Sequence, residues 1–265
     1  MVKILESKIP DILIALLFGL TLSIILLPVV LPLTISFSSS YVITFPPQGF
    51  TLKWFANILL FKSLVDGFRF SLILGITASL TAIVMSLPAT YAFYRYDFKF
   101  KGYLGNLLLS PSLVPEIVLS FLLLMYFKAL KISYSLWLFL GHVLILIPYA
   151  TRYIYASLVN LDVSLEDAAV SLGATRLRAF IDVIIPNIAK GIIAGFLLSF
   201  ITSFNAFSIS LFLSYGETLP LPIAMWNYLQ VRYDPTIAAL STILVFFTLT
   251  LSLIVRKIIG LRGLK

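Results

Sequence analysis

Long apolar runs alternate with short polar stretches along the whole chain. A helix needs about 20 mostly apolar residues to cross the hydrocarbon layer of a bilayer. Six segments reach that length, at roughly 11–36, 68–94, 103–127, 133–157, 187–213 and 236–256, and each carries few or no charges. Helices are the predicted form, because an open sheet edge has no hydrogen-bond partner in hydrocarbon. The pattern predicts an all-α, polytopic membrane protein with six transmembrane helices, a single domain over 1–265. Lys3 and Lys8 precede the first run, as in a signal peptide, but the run from Ile12 to Phe37 is too long and lacks a small-x-small cleavage site. It is read as a retained first span.

The connections are unequal. With the N-terminus placed inside, the outer segments near 37–67 and 214–235 are long, and Pro46-Pro47 and Leu219-Pro220-Leu221-Pro222 predict semi-rigid, non-helical turns there. Trp54, Tyr215, Trp226, Tyr228 and Tyr233 suit a membrane–water boundary. Lys53, Lys62, Arg69, Lys128, Lys131 and Arg232 fall outside, while the other 13 of the 19 basic residues fall inside. That asymmetry predicts a multi-pass protein of the cell membrane with both termini in the cytoplasm. The inner loop of about 158–186 is the only cytoplasmic connection large enough to hold structure of its own.

Composition narrows the class. Apolar residues make up 60% of the chain, charged residues 11%, and mean hydropathy is +1.07. A soluble domain carries about 25% charged residues, so lipid must solvate much of this chain. The net charge of +8 is dispersed, with no dense Lys/Arg run, which argues against a nucleic-acid partner. With no cysteine and His142 as the single histidine, thiol chemistry, Cys-ligated metals and His-rich metal sites are excluded. The G-x-x-x-x-G-K-[ST] phosphate loop is absent, so no ATP site is expected in this chain.

The inner loop reads Asp162-Val163-Ser164-Leu165-Glu166-Asp167-Ala168-Ala169-Val170-Ser171-Leu172-Gly173. Ser164 and Asp167 resemble a capping box, and Glu166 and Asp167 fall in the first turn, where the helix dipole favours acids. Leu165, Ala168, Ala169 and Leu172 sit at i, i+3, i+4 and i+7 and form one apolar stripe. Gly173 supplies the stop. A second helical stretch is predicted from Thr175 to Ile185, with Pro186 opening span five. The residues alone leave two readings: a helix that docks into another protein, or one packed on the membrane or beneath its own bundle.

Polar groups within spans are costly and point to function. Glu116 follows Pro115 in span three, and either meets a cationic solute or a partner helix, or is a hydrogen-bonded structural acid near the outer mouth. Asn205 in span five either bonds a solute or joins helices. His142 is expected to be packed and hydrogen-bonded. Gly191 and Gly195 form G-x-x-x-G, which predicts close helix packing, at a seam with a partner chain. Tyr91, Tyr94 and Tyr96 read as interfacial anchors. No convincing internal repeat of the kind found in secondary carriers is present, and no acid–base or nucleophile set marks an enzyme.

The stretch from Asp167 to Pro186 resembles the EAA signature of ABC importer permeases, with Asp167, Ala168, Ala169 and Gly173 at the signature positions and Val183-Ile184-Ile185-Pro186 closing it. Asp stands where the family usually has Glu, although Glu166 is adjacent, and Val183 stands for Ile. The resemblance implies a type I importer permease fold in which about 161–186 forms a short cytoplasmic coupling helix between spans four and five. It also implies that Glu166, Asp167, Ala168, Ala169, Leu172, Gly173 and Pro186 serve contact with an ATPase. The implied partners are an ABC ATPase dimer that carries ATP and Mg, a second permease subunit, identical or related, an extracytoplasmic solute-binding protein and membrane lipid. The chain itself is implied to be non-catalytic and to bind no cofactor.

Further stretches resemble the polyamine (spermidine/putrescine) branch: 45–55, 91–102, 110–120, 141–149, 199–207 and 219–235. Phe204-Asn205-Ala206-Phe207 differs from the Trp-Asn-Glu-Phe-like segment of sugar permeases. Asn205 stands where polyamine permeases often carry Asp, which removes a negative charge. Glu116, Asn205, Tyr149 and Phe204 are the candidate substrate-path residues. An importer of another solute class (sugar, oxyanion, metal or thiamine), or a channel or secondary carrier, is the alternative.

Overall fold

The computed structural model describes residues 2–162, 164–216 and 219–259, with side chains from Leu13 onward except at 134, 135 and 259. Every regular element among them is helical: α1 Val2–Ile35, α2 Lys53–Ile58, α3 Lys62–Arg95, α4 Lys101–Leu109, α5 Glu116–Ala129, α6 Tyr134–Val159, α7 Ser164–Ser171, α8 Arg176–Ala179, α9 Ile185–Asn187, α10 Ala189–Phe204, α11 Phe207–Leu213, α12 Leu221–Val231 and α13 Thr236–Ile259. A 3-10 turn over Ser110–Leu113 follows α4, and a π-helical turn over Phe180–Ile184 joins α8 to α9.

Four segments are long and apolar enough to cross a bilayer: Leu13–Ile35, Lys62–Arg95, Leu136–Val159 and Thr236–Ile258. The predicted third span is a bent pair instead, while the second bent pair joins the predicted Thr175–Ile185 stretch to the start of the predicted fifth span. Lys101–Leu113 and Glu116–Ala129 meet at 105°, and Arg176–Asn187 and Ala189–Phe204 at 69°, so six crossings result only if each pair counts as one. Proline chemistry explains the first bend. Pro111 sits in the first turn of the 3-10 segment, Pro115 precedes α5, and Val114 before it is extended at φ −93°, ψ 133°, since a following proline disfavours helical geometry. The fifth span is broken again at Asn205-Ala206, between α10 and α11.

The chain divides into two compact units, Met1–Phe61 with Asn227–Phe247, and Lys62–Trp226 with Thr248–Lys265. In the second, α3, α6 and α10 pack on one another around Leu74, Ala78, Ala82, Leu146, Ala150 and Ile154. Bilayer helices gain little from the hydrophobic effect, so close backbone approach holds such a bundle. A Cβ at Gly191 would clash with Ser157 Oγ and stand 2.8 Å from the Tyr153 carbonyl oxygen, and one at Gly195 3.3 Å from Tyr153 Cβ. The predicted close packing of this glycine pair is therefore made within the chain, between α10 and α6, rather than at a partner seam.

α3 begins at Lys62 rather than 68 and runs 34 residues. At 1.5 Å per residue it measures about 51 Å, well beyond the ~30 Å hydrocarbon layer. Its excess length must therefore extend past the membrane core at one or both ends, which carry Lys62 and Arg95.

In the first unit, the Leu13–Ile35 window has no buried residue. Its polar side chains bond back into the helix, Thr21 Oγ1 to Leu17 O at 2.8 Å and Ser23 Oγ to Gly19 O at 2.8 Å, which satisfies them without water. Trp54 is not a boundary anchor: it is buried and donates from Nε1 to Ser38 O at 2.7 Å. Tyr228 is likewise buried and donates to both Asp234 carboxylate oxygens. The Leu219–Pro222 stretch also departs from expectation, because Leu221 and Pro222 open α12. Proline is tolerated in a first turn, where its missing N–H has no helical partner to lose.

Candidate functional site

The site is built on α7, which is short because its ends are defined locally. Asp162 Oδ1 accepts from Ser164 N–H at 2.9 Å. The first turn is thus held from Asp162, and the predicted Ser164–Asp167 capping box is displaced by two residues; residue 163 lies outside the described residues. That bond holds the exposed Asp162 carboxyl below its ordinary pKa. At the other end Gly173 has φ +97°, Gly173 N–H bonds Val170 O at 2.9 Å and Ala174 N–H bonds Ala169 O at 3.1 Å. This is a Schellman stop, for which glycine carries no Cβ penalty. Thr175 then caps α8, its hydroxyl accepting from Arg178 N–H at 3.2 Å.

One face of α7 is anchored by charge. Glu166 is 1% exposed, and its Oε2 lies 3.3 Å from Nε of Arg95, the last residue of α3. Arg95 Nη2 also donates to the half-exposed Asp167 carboxylate. Arg176 Nη1 is 3.7 Å from Glu166 Oε1, an atom with no hydrogen bond of its own. The Tyr91 phenol sits against the same Glu166 carboxylate and its ring tilts on Phe180 at 4.5 Å, while Tyr94 donates to Leu161 O at 2.8 Å. Tyr91 and Tyr94 thus hold the loop rather than simply marking an interface. A buried carboxylate survives only when paired, and removing its partner is strongly destabilising.

The other face is open. Leu165 is 42% and Leu172 91% exposed; Ala168 is exposed and Ala169 half-buried. The predicted apolar stripe exists, and among the described residues little of this chain covers it. Past Gly173, whose Cβ position meets nothing within 4 Å, the π turn places Ile184 and Ile188 in the core of the second unit. Pro186 is exposed and follows that turn directly. It has no N–H to bond the preceding turn, which fits the local break in regular α geometry. The α7–α9 segment is therefore fixed at two points, by ions to the end of α3 and by apolar packing to the bundle.

The candidate path residues are only partly gathered. Glu116 Oε1 accepts from Ile209 N–H at 3.3 Å, so this acid caps the first turn of α11 across the break at Asn205-Ala206. Asn205 is exposed, and its Nδ2 donates back to Ile201 O at 2.8 Å. Phe204 is buried, edge-on to Phe68 at 5.7 Å. Tyr149 is half-buried on α6. His142 is 1% exposed, with Nδ1 2.7 Å from Ser203 Oγ and Nε2 3.3 Å from Ser210 Oγ, one serine on each side of the same break.

Arg95, Arg176, Tyr91 and Tyr94 were not singled out as site residues in the sequence. The available signal was a lone arginine ending a long apolar span, opposite an acid pair in the next inner loop.

Comparison with known proteins gives a consistent picture. The spermidine/putrescine transport system permease protein PotC of Escherichia coli is 29% identical over 227 residues, covering 85% of each chain. The molybdate/tungstate transport system permease protein WtpB of Methanocaldococcus jannaschii is 28% identical over 182 residues, 63% of this chain and 71% of that one. Among solved structures, a chain of a bacterial ABC transporter that imports the acidic polysaccharide alginate superposes with a TM-score of 0.70 over 98% of both chains at 17% identity. Residues 82–261 match the family described as binding-protein-dependent transport system inner membrane component. With that match over most of its length, the chain belongs to this family, the transmembrane permease subunits of ABC importers.

Proposed function

We propose that this permease forms half of a solute path and receives its drive through α7 from a separate ATPase, with both termini in the cytoplasm. One observation carries the reading: α7 is clamped to its own bundle by Glu166, while Leu165, Ala168 and Leu172 on its other face stay uncovered. A short helix so clamped acts as a lever. ATP-driven closure of an ATPase dimer pulls α7; Arg95 passes the displacement to α3, and Ile184 and Ile188 pass it to the bundle. Glu166, Asp167, Ala168, Ala169, Leu172, Gly173 and Pro186 make up the coupling element, over about 161–186. A second permease completes the path and an extracytoplasmic solute-binding protein delivers the solute. ATP and Mg stay on the partner, and this chain is non-catalytic.

The solute is proposed to be polyamine-like. The name of the 29% identical relative supports this, as does Glu116, an exposed carboxylate at the break in span five that can meet a cationic amine. Asn205 lies at the same break; Tyr149 and Phe204 are the weaker path candidates.

The test is ATPase stimulation in the purified assembly across a panel of polyamines, oxyanions and sugars, with the wild type beside Asp167→Arg plus Gly173→Val. Valine at φ +97° is strained, so the pair attacks both the clamp and the stop. Loss of stimulation in a folded variant is expected. Unchanged stimulation would remove α7 as the coupling element, and the stimulating solute names the substrate class.

A further inference from the structure

A second polar feature lies apart from α7 and the break in span five. A cavity of about 290 Å³ opens between the end of α3, α4 and α6. Its walls are largely apolar, through Phe93, Leu108, Leu109 and Tyr155, and two cations, Lys101 and Arg152, border it. Among the described residues, Lys101 pairs with only the fully exposed Asp97, at 3.9 Å. Arg152 donates to Ser112 Oγ at 3.0 Å and meets no carboxylate among the described residues.

Two hydroxyls add polar groups to the same cavity. Thr90 and Thr151 both line it, are 1% and 8% exposed, and their Oγ1 atoms have no hydrogen-bond partner among the described residues. Thr77, Thr81, Thr202 and Thr242 bond instead to the carbonyl four residues back. Buried polar atoms are nearly always satisfied, so these two hydroxyls in one cavity remain available as donors to an acceptor-rich partner. Gly102 and Gly105 keep the α4 wall low, with nothing within 4 Å of either Cβ position. α4 itself buries no side chain and, together with the 3-10 turn, lies at 105° to α5, the attitude of a helix in the interface plane when α5 stands in the membrane.

Two cations, two hydroxyl donors and an apolar slot at one place suit a phosphodiester with hydrocarbon attached. Cationic groups pair strongly with phosphate oxygens, and basic pockets between membrane helices on the cytoplasmic side take anionic headgroups. A cationic solute would be repelled here, and free phosphate would leave the apolar walls uncovered. We propose that this cavity binds the headgroup and first acyl carbons of an anionic phospholipid. Its placement in the cytoplasmic leaflet rests on the orientation proposed above, whereas binding itself does not.

The test is native mass spectrometry of the purified full-length chain in detergent, with phosphatidylglycerol or phosphatidylcholine of matched chains, and with added inorganic phosphate. Two surface basic groups predict roughly ten- to thirtyfold preferential retention of phosphatidylglycerol. Lys101→Gln plus Arg152→Gln is expected to abolish the preference. Gly105→Leu, on an open helix face, fills the slot without touching charge and is expected to lower retention of the lipid even if the double variant does not fold. Equal retention of the two lipids, preference surviving in the double variant, undiminished retention in Gly105→Leu, or displacement by millimolar phosphate would each overturn the proposal.

Discussion

The α3–α6–α10 seam and the α7 loop are held by opposite means. In the seam, glycines and alanines let backbones touch, and no ion pair contributes among the described residues. In the loop, a buried glutamate and an arginine make the joint, and the apolar residues face outward. The seam is a contact that the chain completes alone. The loop is fixed to its own bundle on one face and, among the described residues, left uncovered on the other, as the proposed transmitting role requires. Changes to the seam should therefore reduce folding, and changes to the open face of α7 should uncouple a folded protein.

The largest effect is expected from Arg95→Ala. It leaves Glu166 buried with Arg176, at 3.7 Å, as the one remaining cation among the described residues, and stranding a buried charge costs about 3–5 kcal/mol. Amide exchange should show α7 losing protection while α3, α6 and α10 keep theirs. If the whole bundle loosens equally, the joint is not local.

Gly191→Val comes next, because its Cβ would meet the Tyr153 carbonyl at 2.8 Å, and overpacking costs about 1–3 kcal/mol. Thermal unfolding of the purified chain should fall while α7 keeps its protection. Retained stability would show that α10 does not seat on α6 as described.

The smallest effect is a pH dependence. Asp162 has a folded pKa below its ordinary value through its bond to Ser164 N–H. Its contribution is therefore present above the ordinary carboxylate range of about 4 and lost as pH falls through the lower folded value. NMR should show the first turn of α7 fraying below about pH 4, and Asp162→Ala should fray it at every pH. A first turn indifferent to both would reassign the cap.

Much of this was legible from periodicity and charge. Apolar runs located the long helices, and the 165–168–169–172 spacing gave the α7 stripe with Gly173 as its stop. What stayed hidden depends on tertiary contact. Hydropathy is blind to direction, so the bend at Pro115 and the break at Asn205-Ala206 vanished inside apolar runs of adequate length. The Arg95–Glu166 pair joins residues 71 positions apart, and a single chain offers no spacing rule for it. Trp54 and Tyr228 were placed at a boundary by residue type, yet each has a polar partner, Ser38 O and Asp234, that lets it go inside.

The most direct test of the coupling claim uses the absence of cysteine from the chain. Leu172→Cys places a single thiol on the open face of α7, and a bifunctional reagent added to the purified assembly reads its neighbour. Cross-linking to the ATPase subunit, with a yield that changes when ATP is bound, is the predicted result. A thiol that reaches only lipid or its own bundle, whatever the nucleotide, would contradict the account.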